Sequence, residues 1–222
     1  MNARTTISAF ALVTASAVGA GFAIANQAAP AKAAAQAKPA EPAKAGFKAA
    51  GGYSIDGVHS TVIFKIKHMN TSWAFGRFDR ISGTFDLLPD NMERSSLVVS
   101  IETASVDTNE PKRDGHLKSD AFLDVEQFPD ATFVSKSIKP AGEGKYSVEG
   151  SLSLHGVKKL LTVTLEETGT SDTPRTGVRA GFFGTFTIKR SDFGIKFMPE
   201  ALGDEIQLTV SIEGSQTDAP KK

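Results

Sequence analysis

Between Thr61 and Glu213 the chain alternates apolar and polar positions in eight short runs. Val62, Phe64 and Ile66 alternate with Ile63, Lys65 and Lys67. Ile81, Phe85 and Leu87 oppose Ser82, Thr84 and Asp86, in a strand that begins near Gly76. Leu97, Val99 and Ile101 stand against Ser100 and Glu102, and the run Ala131 to Ile138 alternates less cleanly. The clearest run is Lys145 to Leu154, with Tyr146, Val148, Leu152 and Leu154 on one face. Leu161, Val163 and Leu165 follow, then Phe182, Phe186 and Ile188, then Ile206, Leu208, Val210 and Ile212. A period of two with one wet face marks antiparallel strands. No long amphipathic helix intervenes, which argues against a parallel sheet. The pattern predicts an all-β domain, an eight-stranded antiparallel up-and-down barrel.

In such a barrel the connections alternate between two ends, and the two ends differ here. Pro89-Asp90-Asn91, Pro140 to Gly144 and Gly169 to Pro174 are polar turn sequences that close one end. The other end collects Met69, Trp73 and Phe75, the long segment Asp107 to Asp130, the tight His155-Gly156 turn, and Arg190 to Asp204. Two of these exceed an ordinary hairpin, and loops beyond roughly a dozen residues are usually functional or disordered. Leu117, Phe122, Leu123 and Phe128 in one, with Phe193, Ile195, Phe197 and Met198 in the other, need something to cover. This end is read as a lidded mouth. Pro111 opens a short helical lid segment, and Asp120 caps a second turn over Ala121 to Glu126.

Composition adds three points. Lys+Arg 25 against Asp+Glu 25 leaves no net charge, so nothing argues for a nucleic-acid partner. Fifteen Phe against two Tyr and one Trp favour a dry interior. The absence of Cys removes disulfides, thiol nucleophiles and Cys metal sites together. Residues 1–25 read as a signal peptide, with Arg4, an apolar stretch from Ile7 to Ile24 and Ala23-Ile24-Ala25 before the cleavage point, so periplasmic export is expected. Residues 26–52 read as a disordered Ala/Pro/Lys-rich linker, 53–214 as the barrel and 215–222 as a disordered tail.

Taken in order, Tyr53-Ser54-Ile55-Asp56, His59-Ser60, Phe64 with His68, Arg113-Asp114-Gly115-His116-Leu117, Leu152 to Val157, Arg190-Ser191-Asp192-Phe193-Gly194 and Gly203-Asp204-Glu205 resemble the YceI-like polyisoprenoid-binding family. Lys158 and Lys189 depart from the common Thr and Asn, and Leu123 replaces the second of a Phe pair. The resemblance implies a lipocalin-like barrel with a tunnel for an isoprenoid chain, of a quinone or polyprenyl phosphate. It also implies that a homodimer is an accessible assembly, and no established catalytic activity.

The candidate tunnel wall is Val62, Phe64, Ile66, Phe85, Val99 and Ile101, continued by Leu152, Leu161, Val163, Phe182, Phe186 and Leu208. A barrel of this size either fills itself with such side chains or holds one small ligand. The candidate mouth is His68, Trp73, Arg113, Asp114 and His116, with His155, Arg190, Asp192, Phe193 and Phe197. A phosphate head would use Arg113 and Arg190, a quinone only neutral donors. The bland alternative is that Arg113 and Asp114 brace the lid and Arg190 pairs with Asp192 or Asp204. No catalytic residue, metal or cofactor is assigned. An enzyme reading would need Asp114 and His116 as an acid–base pair, or His68, His116 and His155 around a metal. An interaction reading would use Trp73, Phe75, Phe193 and Phe197 against a membrane protein or a bilayer, and transient membrane contact suits lipid carriage as well.

Overall fold

A computed structural model of the chain describes residues 50–217. The strands are β1 (Gly51–Ile55), β2 (Thr61–His68), β3 (Ser72–Phe78), β4 (Ile81–Leu87), β5 (Ser96–Glu102) and β6 (Val106–Asp107), followed after helix α1 (Pro111–Lys118) by β7 (Asp130–Gly142), β8 (Lys145–Leu154), β9 (Val157–Thr173), β10 (Gly177–Lys189) and β11 (Leu202–Gln216). All pairings are antiparallel, in the order β1-β4-β5-β7-β8-β9-β10-β11-β2-β3-β6, with β1 also on β11. β1 and β2 pair with successive stretches of β11, Tyr53 opposite Gln216 and Val62 opposite Val210, so they are two halves of one wall strand. β3 with β4, and β5 with β6, are broken in the same way. The wall therefore has eight strands and closes on itself.

Side chains mend the three breaks. Glu213 N donates to Ser60 Oγ (3.0 Å) and Ser60 Oγ donates to Glu213 O (3.3 Å), bridging the gap between β1 and β2. Arg80 N donates to Ser105 Oγ (3.0 Å), which donates to Glu102 O (2.6 Å), so one hydroxyl serves the other two. Backbone groups freed by a break otherwise carry a desolvation cost.

The alternation reading holds with specific corrections. Trp73 and Phe75 lie in β3 and not in a loop. β7 runs through Pro140 to Gly142 and β9 reaches Thr173, so two of the closing loops are shorter than the turn residues suggest. A bulge between Ser135 and Ser137 flips the parity of β7, burying Ala131 before it and Ile138 after it, which is why this run alternates poorly. Pro111 does open α1, with the Glu110 side chain accepting from Arg113 N, and Ala121 to Glu126 forms turns. The barrel also takes up Gly51 and Gly52 from the expected linker and runs to Gln216 in the expected tail. Residues 1–25, most of the linker and residues 218–222 lie outside the described residues.

Candidate ligand cavity of the barrel

The inner face is divided by height. At the closed end Tyr53 and Phe85, cross-strand partners, stack with centroids 4.7 Å apart and planes 12° from parallel. Phe182 meets Phe85 edge-on at 5.6 Å, and Tyr146 meets Phe182 at 6.1 Å. These rings come from β1 and β4 on one side and β8 and β10 on the other, so they cross the bore and form its floor. Phe85 and Phe182 face inward as expected, but they plug the barrel and do not line its cavity.

Above the floor lies a cavity of about 680 Å³. Val62, Phe64, Ile66, Val99 and Ile101 line it, as do Leu152, Leu161, Val163, Phe186 and Leu208, ten of the twelve expected on the wall. Phe133, Leu97, Ile188 and Val210 line it too, and from the lid come Leu117, Phe122 and Leu123. Phe133 was hidden by the parity flip of β7. Two large rings leave the bore open because each lies against a glycine of the neighbouring strand. Phe64 fills the space a side chain at Gly76 would need, and Phe133 does the same at Gly150.

Two elements lid the mouth. Residues 108–129, which include α1, contribute Thr108, Arg113, His116 and Leu117 to the lining, and residues 190–201 contribute Arg190, Ile195 and Met198. The rings of His116, Phe122 and Phe197 join these segments, with centroids 5.0 to 5.4 Å apart and near-perpendicular planes. Edge-to-face packing of this kind adds about 0.5–1.5 kcal/mol per pair beyond area burial.

The charged mouth residues are largely engaged. Arg190, 3% exposed, donates from Nε to Gly203 O (2.9 Å), from Nη1 to Ile195 O (3.2 Å) and Phe197 O (2.7 Å), and from Nη2 to Leu202 O (3.1 Å). It therefore pairs with neither Asp192 nor Asp204 but holds the backbone of its own loop. Asp204 accepts from Ser191 N (2.9 Å) and Oγ (2.8 Å), and the Ser191 amide holds its carboxyl below the usual carboxylate range. Arg113 donates from Nε to Thr108 Oγ1 and from Nη2 to Thr108 O, both at 2.8 Å. Asp114 accepts from Thr108 N (2.9 Å) and from the same hydroxyl. Arg113 and Asp114 thus brace the lid through one threonine, and Asp114 does not pair with His116.

His68 and His116 line the cavity, but His155 sits outside it, donating from Nδ1 to Phe193 O (3.1 Å) with its ring on Phe128. The three histidines are not gathered around one point. Trp73 borders the cavity, Asp192 is exposed, Phe193 is buried but outside the lining, and Phe197 is half exposed beside His116. Among the described residues Asp56, His59 and Glu213 bring ligand atoms within 4.8 Å, on the outside of the barrel. The Arg179 guanidinium already lies between their carboxylates, 2.6 Å from Asp56 and 2.7 Å from Glu213. Hydrogen bonds from His59 and Arg179 hold the Asp56 carboxyl far below its ordinary range.

The lining includes no Asp, Glu or Lys. Its polar groups are His68, Ser72, Trp73, Thr108, Arg113, His116 and Arg190, all toward the mouth. Beside the floor, burial pushes the Glu167 carboxyl up while a hydrogen bond from Tyr146 opposes this, and among the described residues Oε2 lacks a hydrogen-bond partner. Glu167 follows Leu161, Val163 and Leu165 in the inner alternation, a signal present in the sequence.

The model of the YceI-like domain matches residues 53–214. A UPF0312 protein of Pseudomonas aeruginosa is 42% identical over 164 residues, covering 73% of this chain and 85% of that one. A UPF0312 protein of Yersinia pseudotuberculosis is 42% identical over 166 residues, covering 74% and 86%. Among solved structures, the YCEI protein of Campylobacter jejuni superposes with a TM-score of 0.62 at 32% identity, over 69% of this chain and 91% of that one. BcnA of Burkholderia cenocepacia gives a TM-score of 0.66 at 26% identity, over 72% and 98%. A polyisoprenoid binding domain from Saccharophagus degradans shares the fold, with a TM-score of 0.59 at 18% identity over 74% and 98%.

Proposed function

The chain belongs to the YceI-like domain family, and from that premise we propose that it is a non-catalytic carrier that holds an isoprenoid lipid in the bore. The observation that carries this reading is the cavity of about 680 Å³, walled by aliphatic and aromatic side chains, floored by four rings and lidded by two segments. Its polar groups all lie at one end, which suits a molecule with a polar head and a long apolar tail. The polyisoprenoid binding domain of Saccharophagus degradans, with the same fold, supports a prenyl tail as the occupant.

The head is read as neutral, a quinone and not a phosphate. Arg190 is occupied by four carbonyls and Arg113 by Thr108, so a phosphate would have to displace existing hydrogen bonds. His68, Ser72 and His116 offer side-chain donors suited to carbonyl oxygens.

Burying about 600 Å² of tail is worth roughly 15 kcal/mol against water. A lipid in a bilayer is already out of water, so most of that gain cancels when it moves into the barrel. The protein's use is to let an insoluble molecule cross an aqueous gap, which fits export to the periplasm by residues 1–25. The test is competition on delipidated protein in mild detergent. A prenyl quinone should displace a fluorescent prenyl probe, and a polyprenyl phosphate should displace it at least about tenfold less well, the cost of breaking one hydrogen-bonded arrangement. Preference for the phosphate would overturn the head assignment, and failure of both would overturn the carrier.

A further inference from the structure

One strand of the wall differs from the rest. β2 gives the cavity alternate residues, Val62, Phe64 and Ile66, and β11 gives Ile206, Leu208 and Val210. β3 instead gives four in succession, Ser72, Trp73, Ala74 and Phe75. A strand inside a closed wall shows the bore one face only, because successive side chains point to opposite sides. A strand that borders the cavity with both parities stands at the edge of an opening. The pairing agrees. β6 takes only Arg77 and Phe78 of β3, so among the described residues Ser72 to Gly76 have β2 on one side and no strand on the other.

Just outside that edge the surface is apolar and basic. Trp73 is 45% exposed, Phe75 58% and, in the turn beside them, Met69 57%, an apolar cluster unusual for a solvated surface. Lys65 and Lys67 lie on the same outer face, their ammonium groups 4.8 and 4.7 Å from the Trp73 ring. Among the described residues neither has a carboxylate within ion-pair distance. Trp with flanking Lys is the chemistry of a headgroup layer, where the ring sits at the interface and the ammonium meets anionic lipid.

We propose that the free edge of β3 is a sideways portal to the cavity, and that the patch around Trp73, Phe75, Met69, Lys65 and Lys67 docks on an anionic phospholipid bilayer. Cargo then passes between bilayer and bore without crossing open water. The purpose rests on the lipid-carrier reading, whereas the docking itself is measured without cargo.

Trp73 is the chain's one tryptophan, so its emission reports this face alone. Delipidated full chain is mixed with phosphatidylcholine vesicles with and without phosphatidylglycerol, at low and high salt. With anionic vesicles the protein should float, its emission should shift to the blue, and high salt should reverse both. Lys65→Glu with Lys67→Glu should weaken vesicle binding about thirtyfold or more, as expected for removing two interfacial cations and reversing their charge. That variant should still bind a prenyl probe in detergent like the parent. Leu160→Ser with Phe183→Ser, exposed apolar positions on other strands, should float unchanged. Vesicle binding with unshifted emission, equal binding by the lysine variant, or no binding at all would overturn the docking face. Intact prenyl binding in detergent alongside any of these leaves the carrier standing, whereas loss of prenyl binding by the parent defeats the carrier and not the docking.

Discussion

Phe64 and Gly76 are cross-strand partners on β2 and β3, and the ring of Phe64 occupies the place of the side chain that Gly76 lacks. The bore is open at this height because the ring lies against the wall. A residue with a Cβ at position 76 would also crowd Thr108, whose Cγ2 would be 2.7 Å away, so the ring must swing inward.

Gly76→Val should therefore cost about 1–3 kcal/mol of stability through overpacking. Prenyl uptake should fall further than that loss of folded protein explains. Thermal unfolding and probe binding on the same sample check this, and unchanged uptake would place Phe64 elsewhere.

Arg190 holds four backbone carbonyls of the 190–203 segment from a buried position. Arg190→Met should destabilise the protein by about 3–5 kcal/mol, because four backbone acceptors lose their charged donor together. Arg190→Lys should rescue little, since a single ammonium cannot fan to the same carbonyls. Urea unfolding measures both.

Glu167 should give the stability curve a recognisable slope. Burial raises its folded-state pKa above the unfolded value, so the folded state binds the proton more tightly. Its contribution is then favourable at acid pH and is lost as pH rises through the folded value. Glu167→Gln should raise the melting temperature at neutral pH and leave it nearly unchanged at pH values below the ordinary carboxylate range. The Asp56 clamp has the opposite sign, present above the ordinary carboxylate range and lost only on strong acidification, because His59 and Arg179 depress that carboxyl.

Alternation made the eight wall strands legible and assigned the inward face of every candidate wall residue. It carries no information about height, so Phe85 and Phe182 looked like tunnel wall although they cross the bore as its floor. β1 was missed because five residues beside an Ala/Pro-rich tract show too few periods, although Tyr53 is among the most buried side chains. The long mouth segments were recognisable from their density of Leu and Phe. The work of the charged residues within them was not, because a carbonyl acceptor such as those around Arg190 has no sequence signature. The portal was invisible for the same reason: strand pairing at Ser72 to Gly76 depends on where β6 ends.

Whether a lipid occupies the bore is read most directly by extracting the protein, purified from its own host, with organic solvent and identifying the contents by mass spectrometry. Val163 lines the cavity and is 6% exposed, so Val163→Trp, prepared in parallel and checked for fold by circular dichroism, fills the space the tail needs. About one prenyl-tailed lipid per parent barrel, and a folded variant nearly devoid of it, is the predicted result on the scale of a single-ligand barrel. A parent barrel that carries no prenyl lipid and takes none up, or a folded variant that carries as much as the parent, would contradict it.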